Sequence, residues 1–274
     1  MTSAQRPAPK FPLPLERVAG SGAQAGGASA RKVLRPQVLV QQVAADAVRR
    51  VVPSGLGLDS AEVRRRMVQR LQAQGLSSAG VAVALMAVPR DRFVDSALVT
   101  QAYEDTSLPI GHGQTISKPS VVARMIELLM QGTAARDAAS LGRVLEIGTG
   151  CGYQAAVLAQ LAREVLSIER VRALHDKARA NLGALRETRV RLVYGDGRLG
   201  HAPGAPYRSI IAAAGGEALP QAWLDQLAVG GRLVAPLQST GGRQQLVIVD
   251  RGEQGWQRSL HDAVHFVPLK AGLD

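Results

Sequence analysis

Ten residues near the middle of the chain constrain its fold more than any other stretch. Val144–Ile147 reads as a short buried strand, and three glycines follow at alternate positions, Gly148, Gly150 and Gly152. The segment that begins at Tyr153 is rich in Ala, Leu and Gln and is typical of a helix. Glycine permits positive φ and lets a ligand approach the backbone, while a helix N-terminus leaves N–H groups free. The stretch therefore predicts a nucleotide-binding corner of an α/β fold.

Two classes of enzyme use such a corner, those that bind NAD and those that bind S-adenosylmethionine. The G-x-G-x-G spacing differs from the G-x-G-x-x-G fingerprint of dinucleotide binding. Glu146, inside the strand, would repel a pyrophosphate and attract the cationic sulfonium or ammonium of S-adenosylmethionine. Glu169, which ends the next strand, can accept hydrogen bonds from ribose hydroxyls in either class. These residues favour S-adenosylmethionine, and a glycine-rich turn without a ligand is the alternative.

After this corner the chain alternates between strand-like and helix-like segments. Such βα units predict a Rossmann-like, doubly wound and mostly parallel sheet. The last two strand-like segments have no helix between them, which predicts an antiparallel C-terminal edge. The predicted strands are 165–169, 190–194, 209–213, 232–237, 244–249 and 256–267, and the predicted helices are about 172–182 and 220–227.

Two further residues of this half have side chains suited to a ligand site. Asp196 and Gly197 follow the third strand, and ligands of such sheets bind outside the carboxyl ends of the strands. We expect Asp196 to accept a hydrogen bond from the adenine amino group, with Gly197 leaving room. Cys151 lies near a helix N-terminus, a position that can lower a thiol pKa, but we interpret it as a turn residue.

The first 58 residues differ in composition from the rest of the chain. They carry eight basic and two acidic residues, which is +6 of the net charge of +11, and residues 1–35 have almost no large apolar residue after Leu15. Such a segment cannot bury enough surface to offset the entropy of ordering, so residues 1–58 are predicted to be a disordered basic extension. Residues 37–52 can form a short amphipathic helix, although a tail that docks weakly or not at all is favoured. One methyltransferase-type domain is predicted over 59–274, with a helical layer and loop at 59–139 and the sheet at 140–274.

The predicted helical layer begins with a helix whose N-terminus is marked by a capping box. Asp59 and Glu62 form a capping box for a helix that ends near Gly75. A second predicted helix runs from about Ser78 to Val88.

Residues 103–119, called here the polar segment, have no clear period and contain glycines and small hydroxyl residues. They predict a shaped loop, and such loops often carry function. Ser117 stands just before Pro119, where an amphipathic helix begins. Helix capping by Ser117 is therefore an alternative to a functional role, and chemistry alone leaves both open.

Composition excludes several classes of protein. No run of about 18 apolar residues occurs, and no compact apolar stretch of a secretory signal is present, so neither a membrane span nor secretion is expected. One cysteine excludes an internal disulfide and fits a reducing compartment, so a cytoplasmic location is expected. Five scattered histidines offer no metal-ligand spacing. The positive charge attracts nucleic acid, but equally acidic peptides.

Several stretches together resemble the protein-L-isoaspartate O-methyltransferase family over roughly residues 60–270. The most specific is Leu-Pro-Ile-Gly-His-Gly-Gln-Thr-Ile-Ser-Lys-Pro, residues 108–119, followed by the glycine corner. The other matching stretches are 88–94, 103–105, 194–197 and 265–269. The resemblance implies transfer of the S-adenosylmethionine methyl group to the α-carboxylate of isoaspartyl residues in damaged proteins, which starts their repair through a succinimide.

The same resemblance implies roles for individual residues. Ser117 matches the active-site serine of the family, and Thr115 and Ile116 line the cofactor pocket. Gln244 matches a pocket glutamine less securely. The implied partners are isoaspartyl proteins and peptides, with no membrane, at most weak nucleic-acid contact through the basic tail, and a monomeric chain.

Two departures from the family pattern keep rival functions open. Arg208 stands where the family has Asp, and Ala212 stands where it has Thr. A catalytically impaired homologue that binds cofactor is one rival. The other is a nucleic-acid methyltransferase, but Asn/Asp-Pro-Pro-Tyr/Phe is missing after the fourth strand and an aromatic content of 3% leaves few rings to stack on bases.

Overall fold

The computed structural model describes residues 61–238 and 243–274. The basic extension, its segment 37–52 and the Asp59 half of the capping box lie outside these residues, so those expectations stay predictions. The predicted boundary at residue 58, between the basic extension and the methyltransferase-type domain, likewise stays a prediction. Within the two described ranges, none of the helices has the length and apolar character that crossing a membrane requires.

Helices and strands alternate along most of the described chain. The helices are α1 (Ala61–Ala73), α2 (Ala79–Ala87), α3 (Pro119–Met130), α4 (Thr133–Asp137), α5 (Tyr153–Ala159), α6 (Arg172–Ala184) and α7 (Gln221–Gln226). The strands are β1 (Leu108–Gly111), β2 (Gln114–Ile116), β3 (Gly142–Ile147), β4 (Ala162–Glu169), β5 (Val190–Tyr194), β6 (Tyr207–Ala212), β7 (Leu227–Gln238), β8 (Gln244–Gly252) and β9 (Gly255–Val264). Short 3₁₀ turns at Arg90–Phe93 and Ser96–Gln101 connect α2 to β1.

A seven-stranded sheet forms the centre of the fold. Its strand order is β5-β4-β3-β6-β7-β8-β9. The first five strands in this order pair in parallel, and β8 and β9 add antiparallel. The predicted Rossmann-like sheet with an antiparallel C-terminal edge is therefore confirmed. Strand β3 lies between β4 and β6, where the chain reverses direction across the sheet, and this is where ligands bind in such folds.

Side chains on the two faces of the sheet build two separate cores. Along β3, Val144 packs into one core while Leu145 and Ile147 pack into the other, as the two-residue period of a strand requires. The first core includes buried residues of α1, α2, α3, α5 and α6. The second is covered by the short helix α7 through Trp223. The helices of the predicted helical layer, α1 and α2, therefore pack into the first core.

The polar segment differs from the predicted loop. Strands β1 and β2 form an antiparallel hairpin, with Leu108 opposite Ile116. Its turn runs through Gly111, His112 and Gly113, all three at positive φ. The strands have only four and three residues, too few for a period to be recognised in the sequence. The hairpin brings the residues up to Ile116 to the start of α3.

Several predicted boundaries also shift. Strand β7 begins at Leu227, five residues before the predicted start at Arg232, because α7 ends at Gln226 and the chain extends at once. Strand β9 ends at Val264, before the predicted end at Val267. The first predicted helix is present as α1, with Met67, Val68 and Leu71 buried on one face.

Candidate active site

The turn after β3, called here the glycine turn (Gly148–Gly152), is shaped by its own backbone. Gly148, Gly150 and Gly152 have φ of 89°, 57° and 92°, a region that L side chains adopt only with strain. The amides of Gly148 and Thr149 donate to the carbonyl of Ile168, at 2.9 and 3.2 Å. Gly152 is the N-cap residue of α5. The corner predicted from the glycine spacing is therefore present in detail.

A cleft opens between the glycine turn and the polar segment. Its walls also include the end of β4, the residues after β6 and the segment 267–270. Seven of the predicted site residues line it, namely Thr115, Ile116, Ser117, Gly148, Gly150, Glu169 and Gly197. The cleft thus joins the two parts of the sequence that were singled out separately.

Glu169 is held in the wall of the cleft by two backbone amides. Its Oε2 accepts from the amide of Gly150, and its Oε1 accepts from the amide of Val171, both at 2.9 Å. The side chain is 6% exposed. Each carboxylate oxygen has a second lone pair, so Glu169 can still accept from a ligand hydroxyl.

Glu146 does not line the cleft. Its Oε2 accepts from the hydroxyl of Ser167, which also bonds to the Thr149 hydroxyl at 2.6 Å, while its Oε1 has no partner among the described residues. Burial raises the pKa of Glu146 to about 8, and the charge of Glu169 adds to the rise, although the side chains of Ser167 and Gln154 lower it. Burial therefore favours the neutral acid, and contact between Glu146 and the cofactor stays a prediction.

Gly152, Asp196 and Gln244 also lie outside the cleft wall. A Cβ on Gly152 would meet Leu182 at 3.3 Å, so this glycine allows close packing of α6. Asp196 accepts from the amides of Arg198, at 2.9 Å, and Gly272, at 2.7 Å.

Gln244 is bonded to the backbone of Phe266 instead of facing the cleft. Its Oε1 accepts from the Phe266 amide at 2.6 Å, and its Nε2 donates to the Phe266 carbonyl at 3.2 Å. The next residues, 267–270, do line the cleft. Gln244 and Asp196 therefore hold the backbone on either side of this wall, and their contact with the cofactor stays a prediction.

Ser117 lies in the cleft wall at the junction of β2 and α3. The helix-capping alternative is wrong, because Lys118 occupies the N-cap position and Asp105 accepts the Ser120 amide at 2.9 Å. The Ser117 side chain is partly buried, and its hydroxyl makes no hydrogen bond within residues 61–238 and 243–274. The hydroxyl is therefore free to bind a ligand in the cleft.

Three residues near the cleft were not predicted. Gln154 lines it, and its buried Nε2 has no hydrogen-bond partner among the described residues. Arg90 is fully buried and donates from Nη2 to the Ser117 carbonyl at 2.7 Å. Lys177 donates to the Ile110 carbonyl at 3.1 Å. No local pattern signals these contacts, since Arg90 and Lys177 each bond to residues far away in sequence.

The remaining polar groups do not suggest other chemistry. Cys151 lines the cleft, but burial raises the pKa of its thiol, which supports its interpretation as a turn residue. Across the described part of the chain, no group of three or more His, Cys, Asp or Glu residues could hold a metal ion.

Comparisons with known proteins agree on one family. The sequence model described as protein-L-isoaspartate(D-aspartate) O-methyltransferase matches residues 62–274. A protein-L-isoaspartate O-methyltransferase of Methylibium petroleiphilum is 61% identical over 276 residues, 100% of both chains. The protein of the same name from Leptothrix cholodnii is 55% identical over 96% of this chain and 94% of that one.

Solved structures show the same fold. A structure named protein-L-isoaspartate O-methyltransferase is 28% identical, with a TM-score of 0.68, and covers 77% of this chain and 67% of that one. A putative protein of this name from Plasmodium falciparum, in complex with S-adenosyl-L-homocysteine, has a TM-score of 0.65 at 21% identity, over 76% of this chain and 98% of that one.

Proposed function

The chain belongs to the protein-L-isoaspartate(D-aspartate) O-methyltransferase family, and we propose how its own residues carry out the reaction of that family. The protein transfers the methyl group of S-adenosylmethionine to the free α-carboxylate of L-isoaspartyl residues in damaged proteins. The ester then cyclises to a succinimide, which hydrolyses partly to normal aspartate. The observation that carries the function is the 61% identity over the whole chain. Neither rival function is favoured by these comparisons.

The residues of the cleft fit S-adenosylmethionine, which supplies an electrophilic methyl group on its sulfonium. Gly148 and Gly150 expose backbone at positive φ, and a Cβ on Gly150 would already approach Ile110 at 3.2 Å. Gln154 lines the same wall with an amide side chain that can donate a hydrogen bond. We assign the cofactor to the wall residues Thr115, Ile116, Gly148, Gly150, Glu169 and Gly197.

Ser117 is the proposed catalytic residue on the substrate side. Ser117 lines the cleft, and its hydroxyl makes no hydrogen bond within the described residues, so it can donate to the substrate carboxylate. This interaction would fix the direction from which the carboxylate approaches the methyl group. The proposal is supported by the Lys118 N-cap, which leaves Ser117 without a capping role.

The reaction needs no general base from the protein. A carboxylate has a pKa of about 4, so it is already ionised and nucleophilic at pH 7. Alignment of two reacting groups in one site can supply roughly 7–11 kcal/mol of the barrier reduction. A single hydroxyl that orients the carboxylate therefore suffices, and the free hydroxyl of Ser117 is such a group.

Three broader properties are proposed from the sequence. The single cysteine supports a reducing compartment, and we propose the cytoplasm. We also propose that the chain acts as a monomer on isoaspartyl proteins. The basic residues of 1–58 would give at most weak contact with nucleic acid.

Methyl transfer from labelled cofactor to an L-isoaspartyl peptide, with the L-aspartyl peptide as control, tests the reaction. Labelling of the isoaspartyl peptide alone is expected. Ser117→Ala should lower kcat about 100-fold, the scale of losing one positioned donor, and leave the Kd for the cofactor unchanged. Ser120→Ala is the matched control and should keep full activity, because only its backbone amide is bonded. Equal losses of kcat and cofactor affinity in Ser117→Ala would contradict substrate positioning.

A further inference from the structure

Arg90 is a fully buried arginine without a carboxylate partner. It lies in the 3₁₀ turn after α2, and no ion pair with Asp or Glu forms within the part of the chain that the structure describes. Burial lowers the pKa of Arg90, because a charged group loses its hydration there. A buried guanidinium is costly unless hydrogen bonds replace water. Such a residue calls for an explanation beyond packing.

The hydrogen bonds of Arg90 run to the polar segment and the residues before it. Its Nε donates to the Ala102 carbonyl at 2.8 Å, and its Nη2 donates to the Ser117 carbonyl at 2.7 Å. A longer contact of 3.5 Å joins Nη2 to the Thr106 carbonyl. One side chain therefore holds the backbone on both sides of the hairpin.

The same guanidinium also packs on the other wall of the cleft. Its central carbon lies 4.8 Å from the ring centroid of Tyr153, a distance at which a cation and an aromatic face attract. Tyr153 is the first residue of α5, directly after the glycine turn, and it lines the cleft. Arg90 thus connects the backbone of Ser117 to the start of the helix that follows the cofactor corner.

We propose that Arg90 is a positioning residue that fixes the Ser117 hydroxyl for the methyl-transfer reaction. The inference rests on the catalytic role assigned to Ser117 above. Only Ser117 and Lys118 join β2 to α3, so a bond to the Ser117 carbonyl restricts the whole connection. On the other side, Asp105 holds the first turn of α3 through the Ser120 amide. The direction of the Ser117 side chain is therefore set from both ends.

Arginine is suited to this role in a way that lysine is not. The carbonyls of Ala102 and Ser117 are bonded by two different nitrogens of one planar group. Lysine has a single ammonium on a flexible stem, so it keeps the cation beside Tyr153 but cannot span both carbonyls with the same geometry. Arg90→Lys therefore separates the charge of Arg90 from its hold on Ser117.

The test is a double-mutant cycle on the full chain with the isoaspartyl peptide assay. Arg90→Lys should lower kcat about 10-fold, the scale of losing one charge-assisted hydrogen bond that orients a reacting group, with the cofactor Kd unchanged. In the Ser117→Ala background the same change should have almost no further effect, because the group that Arg90 orients is missing. Arg70→Met is the control, since Arg70 donates to the Tyr103 carbonyl at 2.7 Å, outside the Ser117 connection, and it should keep its kcat.

Three outcomes overturn the inference, and they are distinguishable. Independent losses that multiply in the double variant, or a parallel loss of cofactor affinity, would make Arg90 a merely structural residue while Ser117 keeps its role. A Ser117→Ala enzyme with full kcat would remove the role of Ser117 itself. If Arg90→Lys has a Tm below the assay temperature, Arg90→Gln, which keeps a planar donor, enters the same cycle with the same expectations.

Discussion

The glycine turn and the polar segment form two walls of one cleft. Side chains bond to both, through Glu169 and Asn181 at the glycine turn, but the glycine turn is also bonded through its own backbone to a strand of the central sheet. In the glycine turn, backbone amides of Gly148 and Thr149 bond to a strand carbonyl next to them in the sheet. In the polar segment, side chains from elsewhere hold the backbone, with Arg90 on the Ser117 carbonyl and Lys177 on the Ile110 carbonyl. The glycine turn is thus part of the hydrogen bonding of the sheet, whereas the polar segment is tied to the rest of the fold by side chains.

This difference predicts how each wall responds to substitution. A change in the glycine turn should act on the stability of the sheet or on cofactor affinity, because the turn is continuous with β3. A change in the contacts that hold Ser117 and the first turn of α3 should act on turnover of the peptide, because those contacts set the position of Ser117. The following experiments test whether substitutions in the two walls have these different effects.

The largest expected effect concerns Glu146, a fully buried acid beneath the glycine turn. Burial raises the pKa of Glu146 to about 8 from a model-compound value of 4.5. As pH rises through this window, the unfolded chain loses the proton while the folded protein keeps it, so the folded state loses stability on the order of 1 kcal/mol per pH unit. Glu146→Gln mimics the protonated form and should escape this loss.

Denaturant unfolding of the cofactor-free protein at pH 5, 6.5 and 8 measures this prediction. The free energy of unfolding of Glu146→Gln should exceed that of the parent by a margin that grows with pH. Parallel curves for the two proteins across this range would contradict it, and would mean that the acid is not kept neutral by the fold.

A smaller effect is expected where the two walls touch. Gly150 has a φ of 57°, and a Cβ there would lie 3.2 Å from Ile110 of β1. Gly150→Ala should lower the free energy of unfolding by roughly 1–2 kcal/mol, because the αL conformation costs an L residue this much. Gly183→Ala is the control, since a Cβ on Gly183 meets no atom within 4 Å and the residue lies in α6. Denaturant unfolding gives both values, and equal free energies of unfolding for the two variants would refute the strain.

The smallest expected effect concerns the hydrogen bond from the Ser120 amide to Asp105. Asp105→Ala removes the acceptor of the Ser120 amide and should cost about 1 kcal/mol of stability, as the loss of a helix cap does. It should also lower kcat/KM for the peptide a few-fold, with the cofactor Kd unchanged. Glu104→Ala, an exposed acid next to it with no side-chain hydrogen bond within the described ranges, should behave like the parent. A changed cofactor Kd in Asp105→Ala alone would show that the walls are not independent.

The same difference explains which features the sequence predicts. Alternate glycines after an apolar strand are a local pattern, and so are βα repeats, and both are confirmed. Its distance from the glycines predicts that Glu146 faces the cofactor. The strand period instead puts it on the same face as Val144, among packed side chains. That orientation could have been read from the alternation, whereas its uncharged state depends on burial.

Most of the hydrogen bonds that the sequence did not predict join residues that are distant in the chain. Gln244 bonds to Phe266 and Asp196 to Gly272, pairs separated by 22 and 76 residues. Arg90 and Ser117 are 27 residues apart. Nothing local to either member of such a pair signals the other, because the pairing arises only when strand order and helix packing bring the segments together.

The walls of the cleft come from widely separated parts of the chain, from Ile110 in the hairpin to Lys270 after β9. During translation the glycine turn is made long before residues 267–270, which complete the wall and are held by Gln244. A chain cut before residue 267 would therefore keep the glycine turn but lose this wall of the cleft. The enclosure of the cleft thus depends on residues that follow the last strand of the sheet.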